Sequence, residues 1–259
     1  MLRQRLQLPQ WTELLYLLVV KDLRIRYKRS ILGYFWAIAN PFMFALVYWI
    51  AFKLIMHIQI EDYSVFIITG LFPWTCLNQS ISHATGSYTN GVSLVRRVKL
   101  PKLILPLSNV LQEMVHFAFA IPVVFFFIFV GGGSIHASEQ AWQIPLMLLV
   151  QAAFIYPLAV LCALFNVFLR DVQHLVGIFF SLLFFATPIV YSIAMVPGKY
   201  LHYFQANPVF SLVECWRGVF IDGVISFSYV AHLLIWAAAL SVIAALVYRR
   251  LSGKIAELV

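Results

Sequence analysis

Six long apolar blocks separated by shorter polar stretches dominate the hydrophobic pattern of this 259-residue chain. Roughly 20 helical residues cross the hydrocarbon core of a bilayer, and each block is about that long. None of the blocks alternates in the manner of a strand, which argues against a transmembrane β-barrel. The pattern predicts an all-α polytopic membrane protein whose six transmembrane helices lie at about 36–56, 65–85, 103–130, 144–168, 175–193 and 229–248.

Composition supports a membrane protein and excludes several other classes. Apolar residues make up 63% of the chain and charged residues 11%, whereas soluble domains carry about 45–50% and about 25%. The three cysteines have no paired spacing, and the sequence contains no P-loop, HExxH or GxSxG motif. We therefore expect no disulfide framework, no catalytic residue, no metal site and no cofactor in this chain.

The first 34 residues contain no predicted span and form a separate cytoplasmic segment ahead of a transmembrane domain at 35–259. Within that segment, Trp11–Arg29 has apolar side chains on one helical face and basic side chains, including Lys21 and Lys28, on another. This pattern is typical of an amphipathic helix that lies in the membrane interface.

The stretch 194–228, between the last two predicted spans, is too apolar for a solvated loop. Asn207 followed by Pro208 is typical of a helix start, because asparagine caps the helix and proline suits its first position. Two interpretations remain open: a pair of short re-entrant helices, or a helical hairpin on the membrane surface.

The basic residues are distributed unequally between the two sides of the predicted bundle. Two of the 18 lysines and arginines, Lys199 and Arg217, lie on one side, and Lys53 lies within the first span. Because basic loops stay in the cytoplasm, the other side and both termini are predicted to be cytoplasmic. The remaining 15 belong to that side: Arg3, Arg5, Lys21, Arg24, Arg26, Lys28, Arg29, Arg96, Arg97, Lys99, Lys102, Arg170, Arg249, Arg250 and Lys254.

Polar side chains follow one face of the second predicted span and recur in the third. Such a face can line a conduit or allow close helix packing, and both interpretations remain open. Glu113 in the third span, with Asn109 and His116 on its face, is either a functional carboxylate or a hydrogen-bonded structural node. The face in the second span consists of Thr69, Pro73, Cys76, Ser80 and His83.

Aromatic residues concentrate in the first span and at the end of the fifth. Phe44, Tyr48 and Phe52 are spaced by four, and Trp36 and Tyr191 add further rings. Aromatic faces can stack on sugar rings, but they also pack ordinary cores and form interfacial belts. Spacing alone does not choose between these roles.

Two basic clusters have possible binding roles on the cytoplasmic side. Arg24, Arg26, Lys28 and Arg29 can hold an anionic lipid or the phosphate of a lipid-linked cargo, or serve only to orient the chain. In the loop 86–102, Asn90–Val98 is predicted to form a short amphipathic helix ending near Arg96 and Arg97, suited to docking a partner protein.

Several motifs, in order along nearly the whole chain, resemble the polysaccharide-export permeases of ATP-binding-cassette transporters. Each motif alone is weak, but the ordered set is specific. Two of them, Arg170-Asp171 and Thr187–Tyr191, favour the O-antigen and teichoic-acid branch over the capsule branch. The set comprises Arg24–Trp36 (RIRYKRSILGYFW), Asn40-Pro41, Gly70–Trp74 (GLFPW), Arg170-Asp171, Thr187–Tyr191 (TPIVY) and Asn207-Pro208.

The resemblance implies a homodimer in the bacterial inner membrane that pairs with two separate ATPase subunits, which would hold ATP and magnesium. The dimer would enclose a conduit for a polysaccharide, such as O-antigen in lipopolysaccharide biosynthesis, carried on polyprenyl diphosphate. The residues 86–102 would be the coupling region, with ATPase contacts at Asn90, Leu94, Arg96 and Arg97. Substrate contacts are expected at Arg24, Arg26, Lys28, Arg29, Trp36, Phe44, Tyr48, Trp74, Ser80 and Tyr191.

Other functions remain as alternatives. A capsule, teichoic-acid or small-molecule exporter of the same superfamily would have the same architecture. An integral-membrane enzyme acting on polyprenyl-linked sugars would need a loop carboxylate, and Asp171 and Asp222 are the acids near helix ends. An ion-coupled transporter would need a chain of membrane carboxylates, and Glu113 is the main candidate.

Overall fold

The computed structural model describes residues 8–27, 35–51, 63–92, 101–131, 137–253 and 255, and within these ranges the regular elements are all helical. Ten α-helices are described there, joined after α7 by two short 3₁₀ turns and after α9 by a π-helix at Gly218–Asp222. They are α1 (Leu8–Tyr27), α2 (Phe35–Trp49), α3 (Tyr63–Thr85), α4 (Ser87–Asn90), α5 (Ile104–Val130), α6 (Ala137–Phe168), α7 (Val172–Phe185), α8 (Leu201–Ala206), α9 (Pro208–Arg217) and α10 (Phe227–Leu251).

Three of the predicted spans are confirmed as helices long and apolar enough to cross a membrane. They are Ile104–Val130, Glu139–Phe168 and Phe227–Leu251. The second predicted span corresponds to α3, which is more polar, and the first corresponds in part to α2. Six spans in total remain a prediction.

The fifth predicted span, 175–193, differs from the structure at both ends. Helix α7 is a shorter apolar helix that begins at Val172 and ends at Phe185. Because a proline ring disfavours helical geometry at the residue before it, the helix does not continue through Thr187 and Pro188. The chain instead turns there, and the residues 187–191 become a loop.

Helix α3 lies at the centre of the bundle. It packs against α5, α6 and α9 and also contacts α2 and α7. A single buried amide, that of Gln151 in α6, connects three of these elements. Its Oε1 accepts a 2.6 Å hydrogen bond from Trp216 Nε1 in α9, and its Nε2 donates to the Pro73 carbonyl oxygen in α3 at 3.4 Å. All three residues are buried, so this amide links α3, α6 and α9 inside the core.

Two further glutamines of α6 hold the segment that follows α9. Gln140 Nε2 donates to the Val219 carbonyl oxygen at 3.0 Å, and Gln143 Nε2 donates to the Gly223 carbonyl oxygen at 2.9 Å. Gly223 has a φ of 69°, a left-handed conformation that favours glycine and ends the π-helix. Side-chain amides thus satisfy backbone groups that the irregular turn leaves without regular partners.

Helix α1 packs its apolar face on the bundle. Leu18 is buried, and Trp11, Leu14 and Leu15 pack against the cluster formed by Tyr88 and residues of α5, α6 and α10. Ile25, which the helical pattern places with these residues, is exposed. The predicted apolar face is therefore used over the first part of the helix only.

Replacing Gln151 with leucine is expected to destabilise the bundle. The substitution leaves the buried Trp216 N–H without its acceptor, and a buried unsatisfied donor costs about 1–3 kcal/mol. The measurement is the thermal midpoint of unfolding of the purified chain in detergent.

The matched control is Gln173→Leu, since Gln173 is exposed on α7. Equal midpoints for Gln151→Leu and wild type would show that this hydrogen bond does not support the packing.

Candidate functional site

Four hydrogen bonds fix the position of the loop 187–191. Three of its groups are bound by residues distant in the chain: the Thr187 hydroxyl and the carbonyl oxygens of Ile189 and Val190. The donors are Asn207 Nδ2 to Thr187 Oγ1 at 3.0 Å, Arg217 Nη2 to Ile189 O at 2.8 Å, Tyr63 Oη to Val190 O at 2.8 Å, and Tyr191 Oη to Phe185 O at 2.7 Å. We call this set, together with Phe66, Gly70 and Glu214, the Arg217 junction.

Arg217, the last residue of α9, is 5% exposed and is the central cation of the junction. Its Nη1 donates to Glu214 Oε1 at 2.6 Å, one helical turn earlier. The guanidinium also lies 3.7 Å from the centroid of the Phe66 ring in α3. A buried cation requires such partners, because an isolated charge in an apolar interior is unfavourable.

Gly70 explains why α3 can approach this cation so closely. A Cβ at this position would lie 3.1 Å from Arg217 Nη2, 3.3 Å from Val213 Cγ1 and 3.4 Å from the Ile189 carbonyl oxygen. The absence of a side chain at Gly70 therefore brings α3, α9 and the loop 187–191 together. Three separate sequence motifs, at 70–74, 187–191 and 207–208, meet at this one junction.

Asn207 has two roles at the junction, and they follow from its position before α9. Its Oδ1 accepts from the Val209 N–H at 3.0 Å and caps the helix, and Pro208 occupies the first turn. Its Nδ2 is then directed at Thr187. The predicted helix start is confirmed, and the capping residue also attaches α9 to the loop after α7.

The polar face predicted in the second span is buried against neighbouring helices of the same chain. Thr69 and Ser80 are fully buried, and Cys76 Sγ lies 3.5 Å from Met114 Sδ in α5. His83 Nδ1 and Glu113 Oε1 are 3.0 Å apart across α3 and α5. These contacts support helix packing for this face and a structural node for Glu113.

Five of the residues predicted to contact substrate divide into exposed and buried ones. Arg24 and Trp36 are exposed, and Phe44 is 61% exposed on α2. Trp74 and Ser80 are buried, with Trp74 packed on Phe180 and Phe184 of α7 at ring-centroid distances of 5.6 and 5.7 Å.

Tyr191 is half-buried and donates to the Phe185 carbonyl oxygen at the end of α7. Arg26 lies in α1 and Tyr48 in α2, while Lys28 and Arg29 lie outside the described residues. Among those whose side chains the structure describes, Trp74 and Ser80 are buried while Arg24, Trp36 and Phe44 are exposed.

Most of the predicted coupling helix, Asn90–Val98, lies outside the described residues. Asn90 is exposed and is the last residue of α4, where its N–H donates to the Gly86 carbonyl oxygen at 2.8 Å. Leu94, Arg96 and Arg97 lie outside the described residues. After them, Lys102 Nζ donates to the Ser252 carbonyl oxygen at 2.5 Å and so satisfies the C-terminal end of α10.

Within the described ranges, no group of three or more His, Cys, Asp or Glu side chains is arranged to hold a metal ion, and the three cysteines are free thiols. The charged groups that the structure does assemble, at Arg217 and Glu113, serve helix contacts. The geometry is that of a packed helical bundle with large exposed apolar faces.

Residues 13–221 match the protein family described as ABC-2 type transporter. The chain belongs to this membrane family. It is therefore a multi-pass membrane permease that works with an ATP-binding-cassette subunit. The loops and helices of the Arg217 junction lie within the matched region.

Named relatives of this ABC-2 permease are similar over most of their length. It is 36% identical to the O-antigen export system permease protein RfbA of Klebsiella pneumoniae over 246 residues, which are 95% of each chain. The Myxococcus xanthus protein of the same name is 28% identical, over 92% of this chain and 95% of its own. The polysialic acid transport protein KpsM of Escherichia coli is 22% identical over 81% of each chain.

The sequence analysis did not predict a structural role for Arg217. It treated this residue only as one of two basic residues opposite the predicted cytoplasmic side. A signal was present, because Glu214 lies three residues earlier in an apolar helix and such a spacing forms an ion pair. The partners Ile189, Phe66 and Tyr63 carried no such signal, since they come from distant parts of the chain.

Replacing Arg217 with glutamine is expected to loosen the junction. The variant leaves the half-buried Glu214 without its cation and the Ile189 carbonyl oxygen without its donor, so the free energy of unfolding should fall by about 1–3 kcal/mol. Because trypsin needs a flexible backbone, loosening the loop should speed cleavage after Lys199, which is exposed just beyond it. The measurements are the thermal midpoint and the rate of tryptic cleavage at Lys199 in the purified chain.

Arg249→Gln, at the exposed end of α10, removes the same charge elsewhere and should leave both values unchanged. Cleavage of Arg217→Gln at the wild-type rate would contradict the role given to this cation.

Proposed function

We propose that this chain is the transmembrane permease subunit of an ATP-driven exporter that moves a lipid-linked polysaccharide across the bacterial inner membrane. The observation that carries the proposal is the 36% identity, over 95% of both chains, to a protein named as an O-antigen export permease. The cargo inferred is a glycan of O-antigen type on polyprenyl diphosphate. The more distant similarity to a polysialic acid transport protein makes a capsule-like glycan the second candidate.

The proposed topology has six spans with both termini in the cytoplasm. The support is the positive-inside distribution of the basic residues together with the three helices long enough to span. In this arrangement the segment 1–34 is cytoplasmic, and α1 lies in the membrane interface. The transmembrane domain is 35–259, and the segment 194–228, which contains α8 and α9, re-enters the membrane from the outer side.

The proposed assembly contains a second copy of the chain and two ATPase subunits that hold ATP and magnesium. The permease itself would then need neither a cofactor nor a catalytic residue. This division of labour fits the sequence, which has no P-loop. It also fits the exposed aromatic face of α2, which has Phe44 at its centre and would line a conduit between two copies.

A continuous set of contacts supports coupling between the ATPase side and the outer segment. Lys102 follows the coupling region and binds the end of α10 at Ser252. Helix α10 packs along α6 and α9, and α9 ends at Arg217. A push on the coupling region would therefore displace α10 and reach the Arg217 junction, where α3 and the loop 187–191 meet.

Conduit opening would have to separate helices of one chain before Trp74 or Ser80 could touch cargo. Both residues are buried between α3 and its neighbours. Phe44 and Trp36 need no such change, since both are exposed on α2. We therefore rank the α2 aromatics above Trp74 and Ser80 as glycan contacts.

The basic rim near the membrane surface is proposed to bind the diphosphate of the lipid carrier. Cells that lack their own permease and co-express this chain with its ATPase should display surface glycan, seen as a ladder on a gel. Arg24→Ala/Arg26→Ala should weaken carrier recruitment by up to roughly 30-fold, at about 1 kcal/mol for each charge near the surface. Ladder intensity and the cytoplasmic pool of lipid-linked glycan are the two measurements.

The control is Arg249→Ala/Arg250→Ala, which removes two basic residues from the other end of the chain. Both double variants should insert and pair with the ATPase normally. Failure of the wild-type chain to produce a ladder would contradict the export function. An unchanged ladder in Arg24→Ala/Arg26→Ala alone would remove only the proposed carrier site.

The basic pair at the end of the coupling region is proposed to contact the ATPase. Arg96→Ala/Arg97→Ala should reduce co-purification of the ATPase with the tagged permease and lower ATP turnover in proportion. Arg170→Ala, in another predicted cytoplasmic loop, should change neither quantity. Full co-purification with normal turnover in the double variant would show that the docking surface lies elsewhere.

A further inference from the structure

An apolar cleft of about 460 Å³ lies between α7 and α10 and borders the Arg217 junction at Asn207. Its floor is formed by α3 and α6, with Leu77, Ile81 and Phe154 almost fully buried. Leu175, Phe179 and Trp236 line its mouth and are also exposed on the surface of the chain. The cleft therefore opens sideways from the bundle.

The few polar groups around the cleft already have partners within the chain. Asn207 caps α9 and binds Thr187. Trp236 Nε1 donates to His232 Nε2 at 3.0 Å, and because an indole only donates, His232 carries its proton on Nδ1 and donates to Ser211 Oγ at 2.7 Å. This chain of hydrogen bonds fixes the Trp236 ring as a wall of the cleft.

Such a lining excludes water and favours hydrocarbon. A buried water needs two to four polar partners, and apolar cavities of about 150 Å³ already stay dry and take up hydrophobic molecules. An empty cleft would also deprive its walls of dispersion contacts. The surrounding surfaces of α7 and α10 are apolar as well, with Ile178 and Ile235 each more than half exposed.

The position of the mouth identifies the source of that hydrocarbon. Helices α6 and α10 are long and apolar enough to span a membrane, and Phe154 and Trp236 lie well inside them. The mouth therefore lies at the depth of the bilayer's acyl chains. At one end of α7 the exposed Arg170, beside Asp171 and His174, supplies a cation for a phosphate group.

We propose that the cleft binds one acyl chain of a bilayer phospholipid, whose headgroup lies at the Arg170 end of α7. The bound chain fills the space between α7 and α10 and supports α7, which otherwise packs mainly on α3 and α6. This inference rests on membrane placement and on the cleft, and not on the identity of the exported cargo.

The test places a larger side chain in the cleft and measures how much phospholipid the purified chain retains. The full-length chain is reconstituted with palmitoyl-oleoyl phosphatidylglycerol, extracted, and exchanged into detergent until its phospholipid content is constant. Mass spectrometry of the extract then gives phosphatidylglycerol per chain. We expect wild type to retain about one molecule more than Leu158→Trp, which fills the cleft from α6. Leu149→Trp, at a 71% exposed position of the same helix, should retain the wild-type amount.

A second pair of variants shows whether lipid loss in Leu158→Trp comes from filling the cleft or from misfolding. Leu240→Phe fills the cleft from α10 and should lose the same molecule, whereas Leu234→Phe on the exposed side of α10 should retain it. Added phosphatidylglycerol should raise the thermal midpoint of wild type and of both controls, but not of the filled variants.

Three results would overturn the proposal. Equal phospholipid retention in wild type and both filled variants would show that no acyl chain occupies the cleft. Retention of a prenyl lipid in place of phosphatidylglycerol would assign the cleft to a different molecule. A change from dimer to monomer in the filled variants, with retention unchanged, would assign it to a second copy of the chain.

Discussion

The buried charge of Arg217 is the constraint on which the arrangement around it depends. A guanidinium that is 5% exposed must find hydrogen-bond acceptors and an opposite charge inside the protein. Glu214 and the Ile189 carbonyl oxygen accept hydrogen bonds from its two terminal nitrogens, and the Phe66 ring lies against it. Gly70 makes this possible by allowing α3 to approach. One cation therefore determines how α3, α9 and the loop after α7 meet.

Side-chain amides of α6 complete the support of the same region. Gln151 joins α9 to the centre of α3, and Gln140 and Gln143 hold the backbone that leads from α9 to α10. The irregular segment 194–228 is thus attached to regular helices by side chains and not by backbone pairing. In a transporter this is useful, because side-chain contacts can exchange while the helices that carry them stay intact.

The exposed faces divide into two kinds that composition does not distinguish. The exposed part of α2 is rich in aromatics such as Phe44, and the proposed function assigns it to glycan contact in a dimer. The exposed part of α7 is also apolar, but it borders a cleft whose Asn207 and Trp236 are hydrogen-bonded within the chain. We propose a different occupant for that cleft, a resident hydrocarbon chain.

The sequence by itself determined the all-helical membrane class, three of the spans and the start of α9 at Asn207 and Pro208, because hydrophobic length and helix capping are local properties. It could not show which face of α7 is buried against the bundle, since a helix with apolar residues on most sides has no pattern to mark that face. Only the tertiary structure decided that Ser80 and Trp74 are buried while Phe44 is exposed. Only the fold brings Arg217 to Ile189 and Phe66, because these contacts join residues far apart in the chain, and no local spacing records them.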